Sequence, residues 1–418
     1  MSQSIWRSSW MPILLAGAVI VSIGAGIRQS YGLFLVPIST DMGGGRELFS
    51  FAIAMQNFFW GAAAPVFGAM ADRMGPARVT ALGGVIYMAG LFIMASVVTP
   101  AGLVFGQILA GAALGGAGMS VALGAVARAT PAAQRPLALG LITSFGSFGQ
   151  FLMVPLAQYF ILAYGWQIAI YSLCAIASLL VAFSPLLRHK QPAPTSNPSA
   201  SMRDLAEMTT GQALGIAIRH RNFLLLTAGF FVCGVQVVFV STHLPTYLQD
   251  ANLSATVASW SLALIGLFNI IGSFLCGWLG GHFSQKKVLA LVYLMRSVVI
   301  LIFISVPASP ASALIFGAAI GLLWLGTIPL TSALIVVFFG PAYLSMLYGV
   351  AFLSHQVGSF LGAWLGGYIY DQLANYDLMW WMTILTGILA FILNWAIRDE
   401  TDATHDAARN ATSDATSH

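Results

Sequence analysis

Charge is what this sequence has least of. Of 418 residues only 7% are Asp, Glu, Lys or Arg, while 58% are hydrophobic and the mean hydropathy is +0.86. A soluble domain carries about 25% charged residues. Too few charges remain here to cover a water-facing surface, so the surface faces lipid. Soluble enzymes, nucleic-acid-binding modules and disordered chains are excluded at once. Cysteine is also scarce: Cys174, Cys233 and Cys276 all fall in apolar runs and read as packing residues, not as a disulfide framework. No Gly-x-x-x-x-Gly-Lys phosphate loop and no Cys/His metal spacing occurs, so neither ATP-driven pumping nor a metal or other cofactor is expected.

What is there is apolar sequence in long runs. About 20 helical residues span ~30 Å of hydrocarbon. Twelve runs qualify, near 12–37, 50–71, 79–98, 101–126, 137–161, 167–187, 222–248, 256–280, 288–306, 311–337, 343–369 and 377–397. They are continuous rather than alternating, which excludes a β-barrel. The expected fold is an all-α membrane protein of twelve transmembrane helices in two six-helix bundles, 1–187 and 222–398. A polar linker at 188–221 joins the bundles, and its part from Met202 to Ile218 suits a short surface helix. The tail, 399–418, is polar and reads as a disordered cytoplasmic segment, and the N-terminus shows no cleavable signal.

Basic residues set the orientation. Counting both termini inside, the inner segments hold Arg7, Arg73, Arg78, Arg128, Arg135, Arg188, Lys190, Arg203, Arg219, Arg221, Lys286, Lys287, Arg398 and Arg409, of 17 in all. The outer loops hold Arg46 alone. The positive-inside rule therefore predicts a multi-pass protein of a bacterial inner membrane with both termini cytoplasmic.

All 13 acidic residues lie in loops, at helix ends or in the tail. Two arginines do not. Arg28 sits deep in the first run, and Arg296 about nine residues into the ninth. An ionisable side chain at mid-membrane faces a cavity or a partner. With no acidic partner in the runs, the counter-ion expected for Arg28 is a bound carboxylate, which a guanidinium holds with two parallel hydrogen bonds. The competing reading is an arginine bonded to helix carbonyls, and for Arg296 a gating or structural role is expected. His243 and His355 also lie inside runs. Either suits a coupled proton, since imidazole titrates near neutrality. Gln29, Tyr31, Asn57, Gln236, Asn269 and His355 join Arg28 as candidate substrate contacts, with interhelical hydrogen bonding as the alternative for each amide.

Between the second and third runs stands Gly68-Ala-Met-Ala-Asp72-Arg73-Met-Gly75-Pro-Ala-Arg78. This resembles the G-x-x-x-D-R-x-G-x-x-R loop of the major facilitator superfamily, and the resemblance implies a gating or structural role for Gly68, Asp72, Arg73, Gly75 and Arg78. A degenerate copy, Gly277-Trp-Leu-Gly-Gly281-His282 through Lys286-Lys287, lies at the matching place in the second half. Arg135-Pro-Leu137-Ala138-Leu-Gly140, with Gly146 and Gly149 beyond it, looks like the fifth helix of monocarboxylate porters and oxalate/formate-type antiporters. The first family also has a basic residue in helix 1, and the second has one in helix 11, where His355 falls here. The chain departs from the porters in helix 8, where Asn269 and Ser273 occupy the usual Asp and Arg spacing. It departs from drug exporters in helix 4, where Gln107 replaces an arginine.

Together these imply a secondary transporter, not an enzyme. The expected cargo is a small organic anion, a monocarboxylate or short dicarboxylate, moved by alternating access with proton symport or anion exchange. A monomer in the lipid bilayer is expected, with no nucleic-acid partner. Efflux of amphiphilic drugs and a non-transporting membrane receptor or sensor are the alternatives.

Overall fold

The computed structural model describes residues 10–131, 134–188, 210–340 and 344–398. Among them stand twelve helical rods: α1 Met11–Asp41, α2 Arg46–Met74, α3 Pro76–Ser96, α4 Pro100–Ala129, α5 Arg135–Tyr164, α6 Trp166–Leu187, α7 Arg221–Asp250, α8 Ala255–His282, α9 Gln285–Ser305, α10 Pro310–Phe339, α11 Leu344–Leu373 and α12 Asp377–Trp395. A short helix, Thr210–Ala217, precedes α7 and lies within the segment expected to form one. The remainder of the expected linker helix, and the tail at 399–418, lie outside the described residues.

Ten of the rods are long and apolar enough to cross a membrane. The two that are not among these ten are α2 and α11, with 29 and 30 residues. These two pack on each other along the seam between the bundles, through Phe51–Phe360, Trp60–Phe352 and Gly61 against Gln356. The polar side chains in their middle stretches, Gln56, Asn57, His355, Gln356 and Ser359, are buried, so burial replaces the lipid tolerance that the other rods need. On the outer surface, Leu162, Phe274, Ile315 and Leu385 stand exposed, as lipid contact requires.

Turns are tight and built by residue type. Gly75 ends α2 and begins α3 with φ of 87°, a conformation that favours glycine, and Pro76 follows at the first helical position. Thr99, Ser254 and Ser309 cap α4, α8 and α10 with their hydroxyls, Ser309 in a capping box with Ser312. The small residues of the fifth helix meet the first: a Cβ on Gly149 would strike the Ser22 carbonyl, and Ser22 Oγ donates to Phe145 O at 2.7 Å.

Three rods are interrupted. α1 is α-helical to Gln29, passes through a 3₁₀ turn at Tyr31–Phe34 and resumes at Leu35. α4 breaks at Gly118 and α10 between Leu322 and Thr327. Breaks free backbone groups that must find partners inside the protein, and the break in α10 decides where Arg296 bonds.

Candidate functional site

The break in α1 lies where the two halves come closest. A Cβ on Gly32 would meet the Ser241 and Thr242 carbonyls of α7, so only glycine lets these backbones touch. Beside this crossing is a small pocket lined by Arg28, Gln29, Tyr31, Gly32, Ile53, Gln56 and Asn57 from the first half and Val238, Ser241 and Thr242 from the second. Both halves contribute walls, so relative movement of the halves must remake the pocket.

Arg28 is its one charged lining residue. Its Nη1 donates to Gln29 Oε1 at 2.8 Å and its Nη2 to Asn57 Oδ1 at 2.9 Å. The guanidinium carbon lies 4.8 Å from the centre of the Trp60 ring, a cation–π distance. Its Nε has no hydrogen-bond partner. Gln29 Nε2 donates onward to Gln150 Oε1 at 3.1 Å, and Gln150 Nε2 crosses to Leu262 O of the second half at 3.0 Å. Tyr31 Oη faces Tyr87 Oη at 3.4 Å. Gln56 is buried, and neither its amide nitrogen nor its oxygen finds a partner. Only two ion pairs form among the described residues, Arg46–Asp250 and Arg128–Asp72, and neither includes Arg28. The site therefore holds a cation whose hydrogen-bond partners are neutral side chains, with Arg28 Nε and the Gln56 amide left without partners.

Of the expected contacts, Arg28, Gln29, Tyr31 and Asn57 line this pocket together. Gln236, Asn269 and His355 do not. Gln236 Nε2 donates to Thr383 O at 3.0 Å and its Oε1 faces Arg296. Asn269 joins the halves elsewhere: its Nδ2 donates to Ser147 Oγ at 2.8 Å, while its Oδ1 accepts from Leu325 N and Ser273 Oγ. His355 packs 4.8 Å from the Phe230 ring with Nδ1 near Gln356 and Ser359. Gln56, read from the sequence beside Asn57 as a further amide donor, lines the pocket too. Trp60 is the stacking group that sequence reading missed, and its place one turn beyond Gln56 and Asn57 on the same helix was the available signal.

Arg296 is fully packed. Its Nε donates to Leu323 O at 2.9 Å and its Nη2 to Trp324 O, both carbonyls freed by the break in α10. Its Nη1 contacts Cys233 Sγ at 3.2 Å and Gln236 Oε1 at 3.5 Å. At the loop between α2 and α3, Asp72 and Arg73 are exposed, and Asp72 pairs with Arg128 of α4 at 3.4 Å.

The opposite end of the bundle is locked across the halves. Arg46 holds Asp250 with two bonds of 2.6 and 2.7 Å and stacks 3.5 Å from the Tyr370 ring centre. The backbone N–H groups of Arg46 and Glu47, at the exposed start of α2, both donate to the Asp371 carboxylate at 2.8 Å. Trp364 Nε1 donates to Glu47 Oε1 at 3.0 Å. Among the described residues, every side-chain hydrogen bond between the halves lies at this end or at the depth of Gln150 and Asn269. Here the molecule is closed. Sequence reading left these as loop charges, although Arg46 already stood out as the lone basic residue on its side.

The comparisons with known proteins agree with this architecture. The family model of the Major Facilitator Superfamily matches residues 14–341 and again 244–417. The chain is 26% identical over 383 residues to the uncharacterized MFS-type transporter YcxA of Bacillus subtilis, covering 89% of this chain and 91% of that protein. It is 24% identical to monocarboxylate transporter 13 of Bos taurus (88% and 84% covered) and 22% identical to the oxalate:formate antiporter of Oxalobacter formigenes (94% and 92%). The crystal structure of a D-xylose–proton symporter superposes with a TM-score of 0.72 at 16% identity, covering 95% of this chain and 99% of that one. The chain belongs to the major facilitator superfamily. It is a multi-pass membrane transporter, not an enzyme.

Proposed function

We propose that this transporter carries a small organic anion, a monocarboxylate or short dicarboxylate, by rocking its two bundles about the pocket at the α1 break. One observation carries the reading: Arg28 faces an inter-half pocket, bonded only to Gln29 and Asn57 oxygens, with no acidic partner. A carboxylate would supply the missing charge through the guanidinium edge, with Gln56 as a further donor. Binding then replaces a lone buried charge with a neutral pair, which favours closure around the substrate. The monocarboxylate transporters and the oxalate:formate antiporter among the relatives support the same substrate class. Transport proceeds as proton symport or anion exchange, with His355 and His243 as the proton candidates. Arg296 and the Asp72 loop serve structure and gating.

The distribution of basic residues supports both termini on the cytoplasmic side of a bacterial inner membrane and the Arg46 end outside. The test is uptake of labelled formate, oxalate and lactate into proteoliposomes. Arg28→Lys should weaken uptake and Arg28→Ala should nearly abolish it, with both proteins folded. Undiminished uptake by the alanine variant would overturn the role.

A further inference from the structure

The locked end contains a hydrogen-bond chain that runs from its ion pair to a buried histidine. His243 of α7 is fully buried. Its Nε2 lies 2.8 Å from Ala363 O, which only accepts, so Nε2 carries the proton. Its Nδ1 lies 3.2 Å from Tyr376 Oη and must therefore accept from that hydroxyl. Tyr376 Oη in turn accepts from Arg46 Nη1 at 3.1 Å, and the same Nη1 donates to Asp250. The hydroxyl has one proton, and it points to the histidine. Each atom of the chain therefore has one workable role, and that arrangement requires a neutral imidazole.

We propose that His243 is a proton switch for the Arg46 end: a proton on Nδ1 is incompatible with the closed latch and favours its opening. Protonation removes the acceptor for the Tyr376 hydroxyl. It also places a second cation one hydroxyl away from the Arg46 guanidinium. No carboxylate touches the ring to compensate it, because Asp250 is engaged by Arg46 and Asp371 by the start of α2. The ring has no room to turn away, since it packs against Gly366 and stands beside Phe239. Tyr376 touches the ring, and Arg46 of α2, Tyr247 of α7 and Tyr370 of α11 contact Tyr376 in turn. The acidic groups of the packed elements are Asp250 of α7 and Asp371 of α11, both bonded to Arg46, and Asp377 at the start of α12. Glu47 lies one residue further along α2, bonded to Trp364. Acid therefore shifts the population toward a state open at this end, through a group outside the Arg28 pocket. This inference holds for any substrate.

The test uses the full chain in lipid nanodiscs without substrate. Spin labels at Gly44→Cys and Asn375→Cys, with the three native cysteines changed to serine, report the separation of the halves at this end. For wild-type His243 the open-to-closed ratio should rise as pH falls from about 8 to about 4, by up to about tenfold per unit for a single proton. His243→Gln, whose amide can donate to Ala363 and accept from Tyr376, should stay closed throughout. Tyr376→Phe leaves the Arg46–Asp250 pair but cuts the chain, and should flatten the response. No pH response in the wild type would overturn the proposal. So would a response of wild-type size in His243→Gln, which would assign it to Asp250, Asp371 or Glu47. If the glutamine variant does not fold, Tyr376→Phe decides, and an undiminished response there overturns the proposal.

Discussion

Arg28 and Arg296 are the two arginines in the interior of the helices, one in each bundle, and both sit beside a broken rod. Their partners differ. Arg296 bonds to Leu323 and Trp324 carbonyls that its own presence satisfies, and 1% of its surface remains accessible. Arg28 is half-buried, bonds to two side-chain amides and keeps its Nε unpaired. Backbone carbonyls at a helix break have no alternative partner, so the arginine that serves them is fixed. Side-chain amides can rotate away when a better acceptor arrives. Residue type and membrane depth are shared. The rigidity of the acceptors separates a structural cation from one free to bind.

Four experiments bear on that contrast. The largest effect is expected for Arg28→Ala. Removing one partner of a desolvated charge pair costs roughly 2–5 kcal/mol, so carboxylate uptake should fall at least about thirtyfold while the detergent melting temperature stays near wild type. Arg296→Ala should do the reverse. It leaves two buried carbonyls unpaired, at about 1–3 kcal/mol each, so the melting temperature should drop clearly while the KM of the protein that folds stays within about twofold. A large KM change there would break the comparison. Trp60→Leu removes the ring beside Arg28, worth about 0.5–2 kcal/mol, and should raise KM several-fold with little change in melting. The smallest effect is expected for Gln236→Leu, about 1 kcal/mol of stability, with uptake retained. Loss of uptake would return Gln236 to the substrate site.

Much of this was legible in the sequence. Ten of the twelve rods are long and apolar enough to span on their own, because lipid admits only backbones that bond internally, and α2 and α11 complete the set by packing on each other. The Asp72–Arg73 loop and its degenerate repeat already pointed to the family. Arg28 was legible as well, since a guanidinium in an apolar run without acidic neighbours has few stable fates. The fates of the neutral polar residues were not. Gln29 and Gln236 are each a glutamine inside a helix, yet one lines the pocket and the other ties α7 to α12 through Thr383. Asn269 could be aligned with a substrate-site position, but it bonds to Ser147 and to the freed Leu325 N–H of the α10 break. An amide does not reveal its partner from its own neighbours, because donor and acceptor come from helices distant in sequence.

Composition and run length alone determined that this chain lies in a membrane as two sets of six helices. The placement of its few charges determined that one end is basic and that two arginines stay inside. Both are consequences of solvation, which acts on each segment separately. Which arginine is free, where the halves touch and which end is closed depend on contacts between segments. Gly32 against Ser241, Arg46 against Asp250 and His243 against Tyr376 pair residues separated by more than a hundred positions. Only the packed tertiary structure brings such groups within bonding distance, so only it decided the site and the latch.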